Sequence, residues 1–386
     1  MIVLLSNPFR PDPRVRKEVR SLSGGGYDVR VLAWDRECIF PEEESVDGVR
    51  VSRLAIKSSF GQGILQMGGF LRFWWQTVLR CLQTEFDIVH CSDLDTLIPG
   101  VVVAKLRGSR VVFDAFECYP FFFSARFPYP LRTAVQKVLH IIERSLCLFV
   151  DHIITVSDYL GEHYRRFGKP VTILYNCPPR SFLKECSSNP MRDSRFGGKK
   201  RIVHIGGINR IRGLEKVLDC LILIRRKSQD IVFVNVGEIF GPTGYVKSVR
   251  MLVQERNLCD NFLITGWVDP ATVPRYLVGS WAGLILFQAS SYNAIIGLPN
   301  KLFEYMAAGV SVVASNFPSI AKVIREEKCG LLVDPSGPDD IASKIIHLLE
   351  NPEEARTMGL NGRKAVEGKY NWDMMEERLL EVYRNL

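Results

Sequence analysis

The stretch RIVHIGGINRIRGLEKVL, residues 201–218, contains in miniature the unit from which the whole chain is built. An apolar, β-branched run over Arg201–Ile205 stops at Gly206-Gly207, a short loop carries Arg210 and Arg212, and a helical pattern starts near Gly213. The run is apolar at consecutive rather than alternate positions, as befits a strand covered on both faces of a parallel sheet. Outward from it the same rhythm recurs. Toward the C-terminus the spacing predicts strands at Ile231–Val236, Phe262–Ile264, Gly283–Phe287, Ser311–Ala314 and Gly330–Val333. Toward the N-terminus it predicts Ile2–Leu5, Val29–Leu32, Asp87–His90, Arg110–Asp114, His152–Val156 and Val171–Leu174. The intervening lengths suit helical crossovers, so the fold class is α/β, doubly wound, with about six strands in each half.

One segment breaks the rhythm. Residues 177–200 hold Pro178, Pro179, Pro190, Gly197 and Gly198 with little periodicity, the signature of a linker. The expected organisation is a first Rossmann-like domain over 1–177, a linker over 178–200 and a second Rossmann-like domain over 201–371. A final helix over 372–386 either caps the second domain or crosses back to the first. Ligands of such sheets bind outside the carboxyl ends of the strands, so two facing domains would share a ligand in the cleft between them.

Composition narrows the classes further. With 386 residues, 47% hydrophobic and 24% charged, the chain has material for large cores, which excludes disordered and collagen-like proteins. No uncharged stretch reaches the roughly 20 apolar residues that span a bilayer. The richest, His140 to Thr155, is broken by Glu143, Arg144, Asp151 and His152. Met1 leads directly into a strand-like run without a basic segment, so no signal peptide is expected. Ten cysteines show no C-x-x-C pair and no zinc spacing with histidine; several, such as Cys147 in RSLCLFV, read as buried thiols, and unpaired cysteines of this number are expected in an intracellular, cytoplasmic chain. The net charge of +8 favours anionic partners such as phosphates, phosphosugars or acidic lipids, and is not by itself a nucleic-acid signal.

Three loops carry candidate chemistry. In SNPFRPDPRVRKEV, residues 6–19, Asp12 reads as a helix N-cap with Pro13 at the first helical position. The helix start with Arg10, Arg14 and Arg16 makes an anion site, or else a solvated basic face. In the 201–218 stretch the glycines do not match G-x-G-x-x-G, so a dinucleotide fingerprint is not supported. Two guanidinium groups beside a glycine turn and a helix start suit bidentate phosphate binding. In SSYNAIIGLPNKLFEYMAAGVSVVAS, residues 290–315, Asn300-Lys301 opens a helix with Glu304 expected in its first turn. By itself that glutamate reads as a charge complementing the helix dipole.

Together YNCPP at 175–179, IGGINRIRGLEKVL at 205–218, TGWV at 265–268 and LPNKLFEYMAAGVSVVAS at 298–315 resemble family 4 retaining glycosyltransferases. In the first half NPFRPDPRVRKEV, FDAFE at 113–117 and DHIITVSDYL at 151–160 fit the same pattern, so the resemblance covers essentially the whole chain. It implies the GT-B architecture, two Rossmann-like domains facing across a cleft, and a nucleotide-diphosphate sugar as donor substrate with no further cofactor and no metal. The family's pyrophosphate grip is an Arg and a Lys in the loop before the first helix of the second domain. Here the Lys position is Arg212 and the Arg position is Gly207, so Arg210 is expected to supply the second charge by proximity. Of the family's two glutamates eight positions apart, the second matches Glu304, which implies contact with the ribose hydroxyls. The first falls on Ile296, which accepts no hydrogen bond from a sugar, and leaves Asn293, Asn300 or Lys301 to replace it. A His that contacts the donor sugar in the family is Phe116 here, with Asp114 and Glu117 retained.

The implied catalytic set is Arg212, Arg210 and Lys301, acting on charge that grows on the departing diphosphate. Donor-binding residues are Gly206, Gly207, Asn293, Asn300, Glu304, Phe116 and Glu117, and Asp12 and Arg14 stand on the acceptor or phosphate side. Spacing assigns no glycosidase-like carboxylate pair, and Asp93-Leu94-Asp95 is read as loop and helix cap instead of a metal signature. The helix Leu65–Leu82 places Leu71, Trp75, Val78, Leu79 and Leu82 on one face, with Phe73 opposite. YPFFFSARFPYP at 119–130 adds six aromatics beside Arg126 and Arg132. As core these rings are ordinary; exposed, they fit an anionic membrane surface and a lipid-linked or glycan acceptor, at the cytoplasmic face. Rival readings are a silent GT-B subunit that binds nucleotide and a partner enzyme, motivated by Ile296 and Phe116, and a nucleotide-sugar epimerase. A nicotinamide-dependent oxidoreductase is disfavoured by the missing glycine fingerprint.

Overall fold

The computed structural model describes residues 1–10, 12–58 and 67–386. They form two compact units, Met1–Asn176 with Met375–Leu386, and Cys177–Met374.

The first unit is built on an eight-stranded sheet: β1 (Ile2–Leu5), β2 (Arg30–Asp35), β3 (Glu43–Val46), β4 (Val49–Ala55), β5 (Ile88–Ser92), β6 (Arg110–Ala115), β7 (His152–Thr155) and β8 (Val171–Ile173). Its order is β3-β4-β2-β1-β5-β6-β7-β8. The chain winds one way from β1 to β2 and the other way from β5 to β8, so the order reverses between β1 and β5. Every residue of β1 is buried, as its unbroken apolar run requires. Two strands were not expected, and they raise the count from about six to eight. β3 and β4 are an antiparallel hairpin joined at Asp47-Gly48, both at positive φ. An Asp-Gly pair is the strong signal for such a turn. β4 is not apparent in the sequence because its apolar residues alternate, with Val49 and Val51 buried between exposed or half-buried neighbours and a charged residue, Arg53, buried beside Leu54.

The helix Pro13–Gly24 starts as predicted, with the Asp12 carboxylate accepting from the Val15 amide at 3.0 Å. The amphipathic helix is seen over Met67–Leu82, and Leu65 lies outside the described residues. It buries Phe70, Phe73, Thr77 and Cys81, with the Phe73 ring stacked 4.7 Å from Trp34. Leu71, Trp75, Leu79 and Leu82 on its other side are exposed. The C-terminal helix Trp372–Arg384 brings Met375, Leu379, Val382 and Tyr383 into buried positions. Tyr383 Oη lies 2.5 Å from His90 Nδ1 and Ser21 donates to Glu376 at 2.6 Å, which ties this helix to residues far away in sequence.

The second unit has a six-stranded, fully parallel sheet: β9 (Lys200–Ile205), β10 (Ile231–Val236), β11 (Phe262–Ile264), β12 (Ala282–Ile285), β13 (Val312–Ser315) and β14 (Gly330–Val333). The order β11-β10-β9-β12-β13-β14 reverses between β9 and β12. Ile202, Leu214, Leu218, Phe233, Leu284 and Ile345 belong to one continuous core that covers the sheet. Residues 177–200 are not a free connector but part of this unit. They contain the short helix Arg180–Glu185, the Met191 amide donates to the Arg275 carbonyl at 2.7 Å, and buried Phe196 meets Tyr276 edge-on. Proline and glycine there set turns in a packed segment, which periodicity alone does not distinguish from a linker. Eight of the ten cysteines are buried and Cys38 and Cys259 are exposed; none is in a disulfide.

Candidate functional site

The reversal of strand order between β9 and β12 opens a crevice at the carboxyl ends of these strands, where doubly wound sheets bind ligands. The chain leaves β9 through Gly206, at φ +85°, and Gly207. A side chain on neighbouring Gly237 would meet the Gly206 carbonyl oxygen at 2.4 Å, so glycine there lets the two backbones touch. Beyond the turn, the side chain of Asn209 accepts from the Arg212 amide at 3.1 Å and shapes one turn of 3₁₀ helix before Leu214–Arg225. Arg212 is half-buried, donates to the Gly207 carbonyl at 2.5 Å and packs 5.2 Å from the Phe240 ring centre. The Gln288 amide, after β12, donates to the Ile211 carbonyl at 2.8 Å and fastens the two loops together.

The helix Asn300–Ala307 supplies the second cation. Lys301 is buried, with Nζ 2.7 Å from His204 Nε2 and 5.8 Å from the Phe287 ring centre. Burial, reinforced by the charge of Arg212, pulls its ammonium down to about 7. His204 Nδ1 is 2.7 Å from Asn235 Oδ1, and the Asn235 amide group donates to the Gly237 carbonyl at 2.8 Å. This chain of partners fixes the tautomer: Nδ1–H donates to Asn235 and Nε2 accepts from Lys301. Burial and the Lys301 charge hold His204 well below the usual histidine range, so it stays a neutral acceptor. Tyr305 Oη accepts from the Ile205 amide at 3.0 Å and donates to the Leu284 carbonyl at 3.3 Å, which locks the helix onto β9 and β12. The site is thus two cations held on rigid elements, suited to an anion of high charge density.

Other expected residues fall differently. Arg210 is exposed and pairs with Glu215 at 2.9 Å, because the 3₁₀ turn points it away from Arg212. Glu304 is half-buried in the second turn of its helix, not the first, since the helix starts at Asn300. Asn300 is exposed at that start, where no side chain caps the amides. Asn293 is half-buried in the short helix Tyr292–Ile296, capped by Ser291. Ile296 is buried and its carbonyl accepts from Ser319, so the missing family glutamate is replaced by a core residue.

In the first unit the Arg14 side chain is consumed internally. Its guanidinium makes paired bonds to Asp114 at 2.8 and 3.2 Å, donates to the Leu174 carbonyl at 2.9 Å and lies 3.0 Å from Glu18. The Asp12 carboxylate occupies its own helix N-terminus and also accepts from Asn7 at 2.9 Å. Arg10 pairs with Glu44 and Arg16 with Asp47. The expected anion site at Asp12 and Arg14 is therefore filled by the protein's own carboxylates. Phe116 and Glu117 are half-buried after β6; the Phe116 ring lies 5.1 Å from the Arg14 guanidinium. Asp93, at φ +64°, stands at the N-cap position of the helix Leu94–Arg107 as read, but its side chain makes no capping bond and accepts instead from the Phe116 amide at 3.1 Å. Burial, then Glu117 and Asp95, raise its carboxyl well above the usual range.

His204 and Asn235 were not anticipated. The visible signal for His204 was a single polar residue inside the apolar run RIVHI; its partner in β10 lies 31 residues away and is not signalled.

Comparison with known proteins bears on the family and the fold. The family described as glycosyl transferases group 1 matches residues 189–365, and glycosyltransferase family 4 matches residues 14–178. The chain belongs to the family 4 glycosyltransferases. This glycosyltransferase is 27% identical over 319 residues to spore coat protein SA of Bacillus subtilis, covering 78% of this chain and 79% of that one. It is 25% identical over 243 residues to a GDP-mannose-dependent α-(1-6)-phosphatidylinositol monomannoside mannosyltransferase of Mycobacterium tuberculosis, covering 61% and 62%. Among solved structures, sucrose-phosphate synthase of Thermosynechococcus elongatus shares the fold at TM-score 0.80 and 18% identity, covering 100% of this chain and 98% of that one. Anabaena HepE, solved with UDP and glucose, shares it at TM-score 0.72 and 14% identity, covering 100% and 99%. The glycosyltransferase therefore has the GT-B fold.

Proposed function

We propose that this glycosyltransferase is a metal-independent, retaining hexosyltransferase that uses a nucleoside-diphosphate sugar. The observation that carries the proposal is the pair Arg212 and Lys301, held by Gly207, His204 and Asn235 at the carboxyl ends of β9 and β10. When the C1–O bond to the β-phosphate breaks, negative charge grows on the leaving diphosphate. Cations already in place stabilise it with little reorganisation, and removing one such donor typically lowers rate by about 100- to 1,000-fold. The new bond forms between C1 and the acceptor oxygen on the face the phosphate leaves, and the acceptor proton passes to the leaving phosphate. Lys301 enters this step as the ammonium, which the incoming diphosphate favours. Glu304 and the uncapped amides at Asn300 are assigned to the ribose and the diphosphate. Asn293, Phe116 and Glu117 are assigned to the sugar side. The binding of UDP and glucose by HepE is consistent with this reading.

For the acceptor we infer a lipid-linked glycan at the cytoplasmic face of an anionic membrane. Leu71, Trp75, Leu79 and Leu82 form an exposed apolar stripe along the helix Met67–Leu82, Phe122 is exposed against Arg126, and Tyr129 is exposed as well. Apolar rings with adjacent cations suit the headgroup boundary. The mannosyltransferase relative carries a phosphatidylinositol mannoside in its name. Among the described residues no helix is long and apolar enough to cross a membrane.

The decisive experiment screens nucleotide sugars by thermal unfolding, then follows nucleotide release and the anomeric configuration of the product by NMR. A ligand at 100 times its dissociation constant stabilises by about 2.7 kcal/mol. Nucleotide binding with no release from any donor would instead support the silent-subunit reading that Ile296 and Phe116 motivate.

A further inference from the structure

We propose that His140, Glu143 and His163 form a binding site for a zinc-class transition-metal ion, which pins the helix Leu131–Cys147 to the helix Asp158–Arg165 in the first unit. One ligand atom from each of the three residues lies within 4.8 Å of the others. His140 Nδ1 and His163 Nε2 each stand 3.6 Å from the same oxygen, Glu143 Oε2. That separation is too long for a hydrogen bond. Ligands at about 2.0–2.2 Å from a shared tetrahedral ion stand roughly 3.3–3.6 Å apart, so the two histidine–carboxylate separations already match, and the two histidine nitrogens, within 4.8 Å of each other, complete the geometry by closing on the ion.

Three further observations point to an ion at that spot. Glu143 Oε2 and His163 Nε2 are both buried atoms without a hydrogen-bond partner, and both face the same gap. Orphaned buried polar atoms are rare in native proteins and call for an occupant. Next, the ligands are held in place from behind. Tyr164 Oη donates to the other carboxylate oxygen of Glu143 at 2.9 Å, as outer-shell partners of metal ligands do. The rings of Phe121 and Phe167 meet His140 and His163 edge-on at 5.5 and 5.3 Å. Finally, the Glu143 side chain is fully buried while those of His140 and His163 are 30% and 22% exposed, which leaves the fourth position open to a water.

The donor set selects the ion. Two imidazoles and one carboxylate suit zinc or its neighbours, whereas magnesium and calcium prefer oxygen ligands. The second histidine–carboxylate cluster of this unit, Glu18, His90 and Asp114, is different in kind, because the Arg14 guanidinium already supplies the cation there. None of the three ligands belongs to the donor site, so the inference stands apart from the proposed reaction.

The test uses untagged, chelator-stripped full-length protein titrated with Co²⁺ and followed by its d–d absorption. In parallel, thermal unfolding is measured with Zn²⁺ and with Mg²⁺. One equivalent of Co²⁺ should produce the bands of a four- or five-coordinate site, and Zn²⁺ but not Mg²⁺ should raise the Tm. His140→Gln, at a part-exposed position, should weaken Co²⁺ binding at least tenfold while leaving the metal-free Tm close to wild type. Glu143→Gln keeps an acceptor for Tyr164 and should weaken it as much. Equal affinity in His140→Gln, or no stoichiometric uptake by the wild type, overturns the site. So does a wild-type Tm that shows no response to Zn²⁺.

Discussion

Lys301 Nζ sits 2.7 Å from His204 Nε2, inside the protein and with the far side of the imidazole held by Asn235. A neutral imidazole is thus the resting partner of the cation assigned to the diphosphate. Because burial lowers Lys301 to about 7, the free protein at pH 8 holds it largely neutral, and an arriving diphosphate should recharge it. Nucleotide binding at pH 8 is expected to take up close to one proton in the wild type and none in Lys301→Met. Calorimetry in buffers of different ionisation enthalpy reads this directly. Turnover in Lys301→Met should fall by about 100- to 1,000-fold, and in His204→Phe by less.

The same shift has a stability consequence with a definite sign. The folded value lies below the unfolded one, so between about pH 7 and pH 10 the unfolded chain holds a proton that the folded one has released. Wild-type stability relative to Lys301→Met should therefore rise across that window, by on the order of 3 kcal/mol from pH 7 to pH 9.5. Urea titrations of both proteins at the two pH values decide it; a flat difference removes the buried ammonium from the account.

Arg212 and Arg210 are two residues apart and should behave differently. Arg212→Ala should lose about 100- to 1,000-fold in turnover with the fold intact. Arg210→Ala should lose little, since its guanidinium is exposed and paired with Glu215. Initial rates of nucleotide release with circular dichroism as the fold control separate them, and near-normal turnover in Arg212→Ala rules it out of the site.

Gly213 sits at φ +81°, and a side chain there would meet the Leu286 carbonyl oxygen at 2.5 Å. Gly213→Ala is expected to destabilise by more than about 2 kcal/mol, combining backbone strain with a clash against an atom of the main chain. Gly26→Ala, also at positive φ but with nothing within 4 Å, should lose less. Denaturant midpoints for the pair measure the clash alone.

Arg14 is predicted to be structural. Arg14→Met leaves Asp114 and Glu18 buried without their cation and should cost about 3–5 kcal/mol. Simultaneous Asp114→Asn should recover part of that loss, which a double-mutant cycle in urea quantifies.

For the exposed stripe, Trp75→Ser with Leu79→Ser should reduce co-sedimentation with anionic vesicles and leave the Tm nearly unchanged, because neither side chain is in the core. Vesicle pelleting at low and high salt provides the measurement. Unaltered pelleting would place membrane contact elsewhere.

Strands with near-continuous apolar runs, such as Ile2–Leu5 and Ile231–Val236 with Asn235 as its one polar residue, were legible because burial on both faces favours apolar side chains at consecutive positions. The hairpin Glu43–Val46 with Val49–Ala55 was not, because strands with few buried apolar positions resemble loop in composition even beside an Asp47-Gly48 turn. Residues 177–200 misread as linker for the opposite reason: proline and glycine break periodicity in packed segments as well as in free ones. At the site, Arg212 and Lys301 stood out by type and motif, whereas the fates of Arg14 and Arg210 depended on partners such as Asp114, 100 residues away, and Glu215.

By itself the sequence determined the α/β class, the repeated strand–loop–helix unit and the glycine turn beside Arg212, since these follow from local pattern and short-range sterics. Tertiary structure alone decided which charges remain available for a ligand. Whether an arginine meets a phosphate or an internal carboxylate depends on what the fold brings within a few ångströms, and Coulomb energy is set by that distance and by burial. It decided likewise that a histidine in β9 meets a lysine 97 residues later, and that His140, Glu143 and His163 converge on one point.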